Sequence, residues 1–564
     1  MNRVDLRDAK LRNFQQCDTL HYGSNSSYLV NRICTLLRHS LGNRAEAVAL
    51  LTRVCQKYSV VDTSVESPLS LVWIGLILNR EHAFRLVDHG PLASQQDDQE
   101  VSRFRDLWGE KAELRRFKDG RISECVVWDA KDSDERAKIP LMIVKHILGH
   151  HLNLEDDKHF RTFQGGFDSL IRLPNIITKA FYGQQFGFKG AMVAFDSLAK
   201  VLRSSDQELP LALLEVIPTS SDLRYTSVFA PLPFLSTYLS QNNLVRWASP
   251  MEIVLVFERS SHWPDSFDAL QKMKLLLLER LAEVLITKVN GLKAAVVLNS
   301  RSLSGPSDGF LEILTPDGWF FSASIRHDRD IALLERLLEE GSTAINRTTL
   351  MPEAEKQRIL KTCESYSRRF IYASMHRVVA GLCHKFPAYS GTVRLVKRWL
   401  ASHWLLGAHI SEEVVELLCA KVFLGDSTVD SLRNSMQTPE TKERGFFQVM
   451  SFLKGWVWQN GIAVPLNDLE VSSGDHSVTS RLKGHYTIGE WTISIKHDGE
   501  GHVWTSNGPT GLVARRVISL ATSTVDYIHL HENSFVPKVI LTIALCAKIY
   551  ITDAFPVDNI SSPK

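Results

Sequence analysis

Transfer of a nucleotide without a template needs carboxylates in a fixed geometry. Three acids hold two metal ions. Two of them stand at i and i+2 of one strand, so that both point to the same face, and the third comes from a neighbouring strand. A Gly-Ser turn ahead of them holds the triphosphate through backbone N–H groups. The strand–helix–strand pattern over residues 211–325 is where this chain can be tested for that chemistry. Its candidate strand, MEIVLVFE (251–258), has Glu252 at the first position and Val254 at i+2. The turn ahead of it reads Pro218-Thr219-Ser220-Ser221-Asp222 and contains no glycine. Glu312, in the middle of GFLEIL, is the candidate third carboxylate. One or two acids do not replace three at two metals. The expectation is therefore a degenerate site with Glu252 and Glu312 as vestigial metal-site positions, no catalytic residue, no metal and no cofactor.

Other acids and histidines invite chemistry but have simpler readings. Asp265 and Asp268 follow Trp263-Pro264 at the start of a long helical pattern and read as N-cap and N3 residues. Asp328 and Asp330 form a literal DxD before IALLERLLEE and read as capping and surface charge. His146, His150 and His151 have no nearby carboxylate or cysteine to complete a ligand set. No nucleophile elbow, phosphate-binding loop or dinucleotide fingerprint occurs.

Two basic features remain. Residues 103–121 hold seven cations (Arg103, Arg105, Lys111, Arg115, Arg116, Lys118, Arg121) against four acids, with Phe104, Trp108 and Phe117 interleaved. Four of the cations surround the turn pair Asp119-Gly120, ahead of the apolar run Cys125-Val126-Val127-Trp128. Cations with aromatics are the composition of an RNA-contacting surface. The second feature is Arg394, Lys397 and Arg398, whose i, i+3, i+4 spacing places them on one helix face, with Val393, Val396 and Leu400 largely on the buried side. A solvated charged face with internal salt bridges accounts for either feature equally well. Both readings stay open at this level.

The elements that must position these residues follow from periodicity. Residues 32–55 read as a helix then a strand, and 70–79 as a strand ended by Asn79. The stretch 83–91 breaks on Gly90-Pro91. Asp119-Gly120 reads as a hairpin turn, and 137–152 as a helix with Pro140 in its first turn. This is a small α+β domain ending near residue 155. Residues 156–200 read as mostly helical. Strands at 211–218, 251–258 and 294–299 flank a long helix, and 309–325 forms a hairpin around Pro316-Asp317-Gly318. From about 350 the period is helical, with Ser411 as an N-cap. Among 564 residues with a net charge of +2, a bulk polycation is excluded while local basic patches are not. The eight cysteines form no CxxC pair and read as buried thiols in a reducing compartment. No secretory signal pattern opens the chain. The apolar run at 535–551 carries Lys538 and Lys548 and is too short to span a membrane. The expectation is a soluble intracellular protein.

Several blocks resemble one family. HAFRLVDHGPLA (82–93), FRDLWGEKAELRRFKDGRISECVVW (104–128), LRYTSVF (223–229), FPAYSGTVRLVKRWLASHWL (386–405) and WTSNGPT (504–510) closely resemble the nucleolar RNA-associated protein family, Nrap. The resemblance implies membership of the small-subunit processome and an architecture like two fused CCA-adding enzymes. The implied fold is α+β and multidomain. A small α+β body domain similar to Nrap domain 3 (1–155) and a helical linker (156–179) come first. A nucleotidyltransferase-like head (180–345) and a helical PAP/OAS1-like domain (346–515) follow, then an atypical or truncated C-terminal segment (516–564). It implies a non-catalytic, RNA-binding scaffold in pre-ribosomal RNA processing in the nucleolus. The implied partners are pre-ribosomal RNA, small nucleolar ribonucleoprotein and other processome proteins, with no membrane. Arg115, Arg116, Lys118, Arg121, Arg394, Lys397 and Arg398 are the RNA- or partner-binding candidates. A template-independent RNA nucleotidyltransferase and a protein-only assembly scaffold are the alternatives. Family proteins are longer and begin with a complete first copy, and the final residues here lose the family pattern. The sequence is therefore expected to be a fragment or a faulty gene model.

Overall fold

The computed structural model describes residues 2–5, 25–52, 71–79, 81–92, 98–117, 120–130, 133–154, 159–161, 163–173, 186–234, 249–298, 309–343, 353–425, 438–466, 490–495, 501, 504–505 and 508–530. Lys118, Asp119, Cys17, Cys55, Cys546 and the apolar run at 535–551 lie outside the described residues. The chain divides into two units. One comprises Met1–Ser169 with Pro439–Arg444, the other Leu170–Thr438 with Gly445–Lys564.

In the first unit, β1 (Asn2–Asp5), helix α1 (Asn25–Leu41), β2 (Ala45–Thr52) and β3 (Leu71–Leu78) precede β4 (Val87–Leu92) and helix α2 (Asp98–Trp108). The hairpin β5 (Glu113–Arg116) and β6 (Ile122–Val127) follows, then helix α3 (Ile139–Leu152) and β7 (Phe160–Arg161). The strands form a four-stranded sheet, β2-β3-β1-β7, and a three-stranded sheet, β4-β6-β5. Strand β4 runs through Gly90-Pro91 rather than ending there. A register shift between His89 and Leu92 absorbs the proline, which has no N–H for the ladder. Helix α3 is the hub of the core: Ile139, Ile143, Val144, Ile147 and Leu148 are fully buried with Trp108 and Trp128. The spacing of these apolar residues covers more than one face, so the helix is central rather than amphipathic.

A buried carboxylate ties the edge of this core together. Asp88 on β4 accepts from Arg44 Nε (3.0 Å) and Nη2 (2.9 Å), and from Trp128 Nε1 (2.9 Å). Arg44 is fully buried, and its third contact is to the Ala83 carbonyl at 2.7 Å. Burial alone would raise the Asp88 carboxyl, but the bonds from Arg44 and its charge hold it below the usual carboxylate range.

In the second unit, helix α4 (Gly187–Ser204) leads to β8 (Leu213–Pro218) and β9 (Met251–Phe257). Helix α5 (Phe267–Lys288), β10 (Lys293–Leu298), β11 (Gly309–Leu314) and β12 (Phe320–Arg326) complete a five-stranded sheet of order β10-β11-β12-β9-β8. Only β12 and β9 are parallel. The β11–β12 turn places Gly318 at φ +85° against the Phe234 carbonyl, where a side chain would collide. Helices α6 (Arg329–Thr343), α7 (Glu353–Lys385), α8 (Tyr389–Ser402), α9 (Glu412–Leu424), α10 (Lys442–Gly455) and α11 (Gly511–Leu530) follow, with a two-stranded sheet of β13 (Ile462–Ala463) and β14 (Ile493–Ser494). Helix α11 runs without a break through residue 515.

Strand β9 is buried on both sides. Met251, Ile253, Leu255 and Phe257 face the core built with α4 and α5. Val254 packs with Ile217 and with Ala373 of α7. The sequence placed several acids differently. Ser266, not Asp265, caps α5, accepting from the Ala269 N–H at 3.3 Å. Asp265 instead pairs with Arg329 at 2.6 Å. Asp330 is not surface charge: it is fully buried against Lys274 at 2.6 Å, because a carboxylate at the start of α6 also accepts from the His327 N–H.

Removing one member of a hydrogen-bonded buried pair leaves the other charge uncompensated. Asp88→Ala is therefore expected to destabilise the first unit by about 3–5 kcal/mol. The joint change Arg44→Met with Asp88→Leu should cost less than Asp88→Ala alone. Denaturant unfolding followed by Trp128 fluorescence measures both.

Candidate functional site

The register of the central sheet sets the geometry of the carboxylate test. Ser322 on β12 pairs directly with Glu252 on β9, and on its other side with Glu312 on β11. Paired residues point to the same face, so the row is Glu252, Ser322, Glu312. The acids stand two strand spacings apart, about 10 Å between backbones. Glu312 is thus not on the strand neighbouring Glu252, as the sequence expectation required. Ser322 takes that place. Val254, at i+2 from Glu252, is 2% exposed and held by Ile217 and Ala373. Among the described residues, no group of three or more His, Cys, Asp or Glu side chains is placed to hold a metal ion.

The turn ahead of β9 spends its N–H groups internally. Thr219 and Ser220 both donate their backbone N–H to the Glu252 carbonyl, at 3.0 and 3.3 Å. The Asp222 N–H goes to Ser220 Oγ at 3.3 Å and the Leu223 N–H to the Ser220 carbonyl at 3.2 Å. Without glycine the turn closes as a short 3₁₀ helix, Ser221–Arg224.

That turn delivers Arg224 into a buried ion cluster, which sequence reading missed. Arg224 is 2% exposed and Glu416 on α9 fully buried. Arg224 Nε donates to Glu416 Oε2 at 3.1 Å, and its Nη1 donates to the Thr219 carbonyl. Thr226 Oγ1 donates to Glu416 Oε1 at 2.7 Å. From α8, Lys397 Nζ donates to Glu416 Oε1 at 2.8 Å and to Glu412 Oε2 at 2.7 Å. The Tyr389 hydroxyl donates to the Glu416 backbone carbonyl at 2.8 Å. Burial would raise the Glu416 carboxyl, but Arg224 and Lys397 overcome it and hold it down at about 2. Glu413, more weakly placed at 3.4 Å from Arg224, is instead raised by burial and by Glu416. Ser411 Oγ caps α9 from the Val414 N–H at 3.3 Å, which aims Glu412 and Glu416 inward.

Two of the three candidate cations of α8 are therefore internal. Lys397 is fully buried. Arg394 is 9% exposed, donating to the carbonyls of Ser227 (3.2 Å), Val228 (3.3 Å) and Ile171 (3.1 Å), with its guanidinium 5.0 Å from the Phe188 ring centre. Arg398 is half-buried, 5.4 Å from the ring centre of Phe229. The expected exposed basic face does not exist, because the segment 219–229 lies against Arg394 and Arg398 and helix α9 encloses Lys397. A helix with Val393, Val396 and Leu400 buried on one side and Lys397 fixed on the other is enclosed all round.

In the first unit the hairpin forms as expected. Phe117 N–H donates to the Arg121 carbonyl at 2.8 Å, and Gly120 sits at φ +84°, as its turn position demands. Arg115, Arg116 and Arg121 are exposed. The aromatics interleaved with them are not free for bases. Trp108 is 3% exposed and lies edge-on to Trp128, Phe104 packs on the same core, and the half-buried Phe117 ring lies 4.8 Å from His89. The histidines are part of the same packing. His146 and His151 donate to the Trp108 and Leu107 carbonyls at the end of α2, at 2.8 and 3.1 Å. Of the described cysteines, Cys125, Cys363 and Cys419 are buried thiols, Cys34 and Cys383 are half-buried, and none forms a disulfide.

A five-stranded mixed sheet closed onto helices α7 to α9 defines a nucleotidyltransferase-like head joined to a PAP/OAS1-like helical domain. The chain belongs to the Nrap family. Residues 2–153 match Nrap protein domain 3, residues 166–384 the Nrap protein nucleotidyltransferase domain 4, and residues 386–542 the Nrap protein PAP/OAS1-like domain 5. It is 29% identical over 93% of its length to "U3 small nucleolar RNA-associated protein 22" of Schizosaccharomyces pombe, covering 45% of that protein. It is 27% identical over 89% of its length to "Nucleolar protein 6" of Mus musculus, covering 42% of it. The chain thus spans less than half the length of these relatives. Among solved structures it is similar to a cytoplasmic RNA terminal U-transferase (9% identity, 67% of this chain, 97% of that one, TM-score 0.33). It is also similar to mtPAP in complex with GTP (11% identity, 81% and 96%, TM-score 0.33). No described helix is long and apolar enough to cross a membrane.

Glu416→Gln removes the charge that Arg224 and Lys397 share, and an expected loss of about 3–5 kcal/mol follows from leaving them buried together. The paired change Arg224→Met with Glu416→Leu should be milder than Glu416→Gln. Thermal unfolding of the three proteins compares them. Acid sensitivity has a second source in His376, which burial and Arg224 press down to about 3. Its depressed value means the unfolded chain binds the proton first, so stability is complete above pH 6.5 and falls as pH drops toward 3. Glu416 adds a loss that begins only below about 4.5. His376→Asn should therefore flatten the stability profile between pH 6.5 and 4.5 relative to the parent, by up to about 1.4 kcal/mol per pH unit.

Proposed function

We propose that this chain is a non-catalytic scaffold in nucleolar pre-ribosomal RNA processing, associating with small nucleolar ribonucleoprotein and other processome proteins. The observation that carries it is Val254. The position where a second metal-binding carboxylate is needed lies in an apolar contact with Ile217 and Ala373, and Ser322 stands where a neighbouring strand would supply another acid. A divalent-metal pair does not fit this donor set. The turn supports the same reading, since its N–H groups at 219, 220, 222 and 223 already have acceptors within the fold. The names of the relatives, associated with U3 small nucleolar RNA and with the nucleolus, point to the process.

RNA association in this reading rests on phosphate contacts, which release counterions and weaken linearly in log–log salt titrations. The chain should bind single-stranded RNA with such a slope, measured by fluorescence anisotropy. An affinity that is absent or indifferent to salt favours a protein-only scaffold. Incubation with an RNA primer, labelled nucleotide and magnesium or manganese should give no incorporation above a protein-free control. Incorporation that disappears in Glu252→Ala and Glu312→Ala would overturn the non-catalytic reading.

A further inference from the structure

Strand β5 is the open edge of the β4-β6-β5 sheet, and all four of its residues are exposed. Its hydrogen-bond phase follows from the turn. Phe117 bonds to Arg121, so in the antiparallel ladder Arg115 opposite Ser123 and Glu113 opposite Cys125 are the bonded pairs. Leu114 and Arg116 then turn their backbone N–H and C=O away from β6, toward the open side. Two donors and two acceptors are presented at the spacing that another strand meets.

Edges of this kind are usually blunted by short length, charged side chains, proline, a bulge or a covering loop. Strand β5 has the first two, so a segment of opposite charge is the one its edge admits. The β5–β6 register has no bulge, and β5 has no proline. The edge is also apolar where it need not be. Leu114 is 56% and Ile122 44% exposed, and both lie on the face that carries Arg116. Around them Arg115, Arg116 and Arg121 stand exposed, with Glu113 paired to Arg115 at 2.8 Å. We propose that this edge docks an extended acidic segment of a partner protein, which adds to β5 as a fourth strand with apolar residues over Leu114 and Ile122. Charge complementarity selects the acidic segment, and the outward backbone groups select an extended peptide. A nucleic acid is disfavoured at this edge because phosphates offer no N–H donors to the outward carbonyls of Leu114 and Arg116, and Trp108, with Phe104 packed against its cluster, is not free to stack bases.

The probes are a synthetic peptide of alternating valine and glutamate, its valine–lysine counterpart, and a short oligouridylate, each added to the full chain. Hydrogen exchange at the Leu114 and Arg116 amides should slow about tenfold at about ten times the acidic peptide's Kd. Exchange at Glu113 and Arg115, already bonded inside the hairpin, should not change. Leu114→Pro deletes an outward N–H and no hairpin bond, and should weaken the peptide about tenfold, whereas Leu114→Ala keeps the N–H and should weaken it less. Should the proline variant fail to fold, the charge reversal Arg115→Glu with Arg116→Glu decides: it should switch preference to the lysine peptide. Three results overturn the proposal. These are unchanged exchange at Leu114 and Arg116 with the acidic peptide, equal affinity in Leu114→Pro, or stronger protection of the same amides by the oligouridylate.

Discussion

The second unit depends on one carboxylate. Glu416 lies where three chain segments meet: the turn after β8 through Arg224 and Thr226, helix α8 through Lys397 and Tyr389, and α9 itself. A buried carboxylate is tolerable only if its lone pairs are filled and its charge is matched. Here two cations and a hydroxyl meet both demands. The arrangement works in reverse as well, since Arg224 and Lys397 share Glu416 once enclosed, with Glu412 closing on Lys397 at 2.7 Å and Glu413 standing 3.4 Å from Arg224. Apolar packing would hold these elements together but would not fix their mutual register. Ion pairs with defined donor directions do, and that fixes how the sheet's turn meets the helical layer.

The same closure supports the non-catalytic reading proposed above. In a sheet that binds metal ions, the face of the central strand carrying the carboxylates must be open to substrate. On β9 that face carries Glu252 and then Val254 and Val256, and α7 covers the two valines. The turn that would receive phosphates is tightened by its own hydrogen bonds to Glu252 and, through Arg224, anchored to α9. A turn without glycine, a valine at i+2 and an internal carboxylate at Glu416 are mutually consistent features. Each favours a head held rigidly against its helical domain.

Much of the fold was legible from pattern alone. Strands at β8, β9, β10, β11 and β12, the long α5, the hairpin at Gly120 and the Ser411 cap each have a local cause: alternation, helical spacing, or a turn residue with a required φ. What periodicity could not reveal was the partner of each charge. Arg394, Lys397 and Arg398 look the same on a helical projection whether water or another segment covers them. The carbonyls that cover Arg394 lie more than a hundred and sixty residues earlier, at Ser227 and Val228, and the carboxylates that hold Lys397 belong to the next helix. Asp330 was misread for the same reason, because its partner Lys274 belongs to a different helix. A weak signal was present. The acids Glu412, Glu413 and Glu416, spaced to share a face just after a basic helix, are the complement of Arg394, Lys397 and Arg398.

The two basic clusters therefore end in opposite physical states, though their compositions are alike. On α8, Arg394 and Lys397 are desolvated, and their energy is committed to internal carbonyls and carboxylates. At the β5–β6 hairpin Arg115, Arg116 and Arg121 remain exposed, while Trp108 is in the core with Trp128 and Phe104 packs against it. An exposed guanidinium next to an unpaired strand edge costs little in the free protein and gains much once a segment of opposite charge excludes water from it. The proposed scaffold role calls for such places, held in position by a core and left incomplete at their edges. The hairpin has that character because its inward face is fixed by Ser123 and Cys125, while Leu114 and Arg116 leave their backbone groups open.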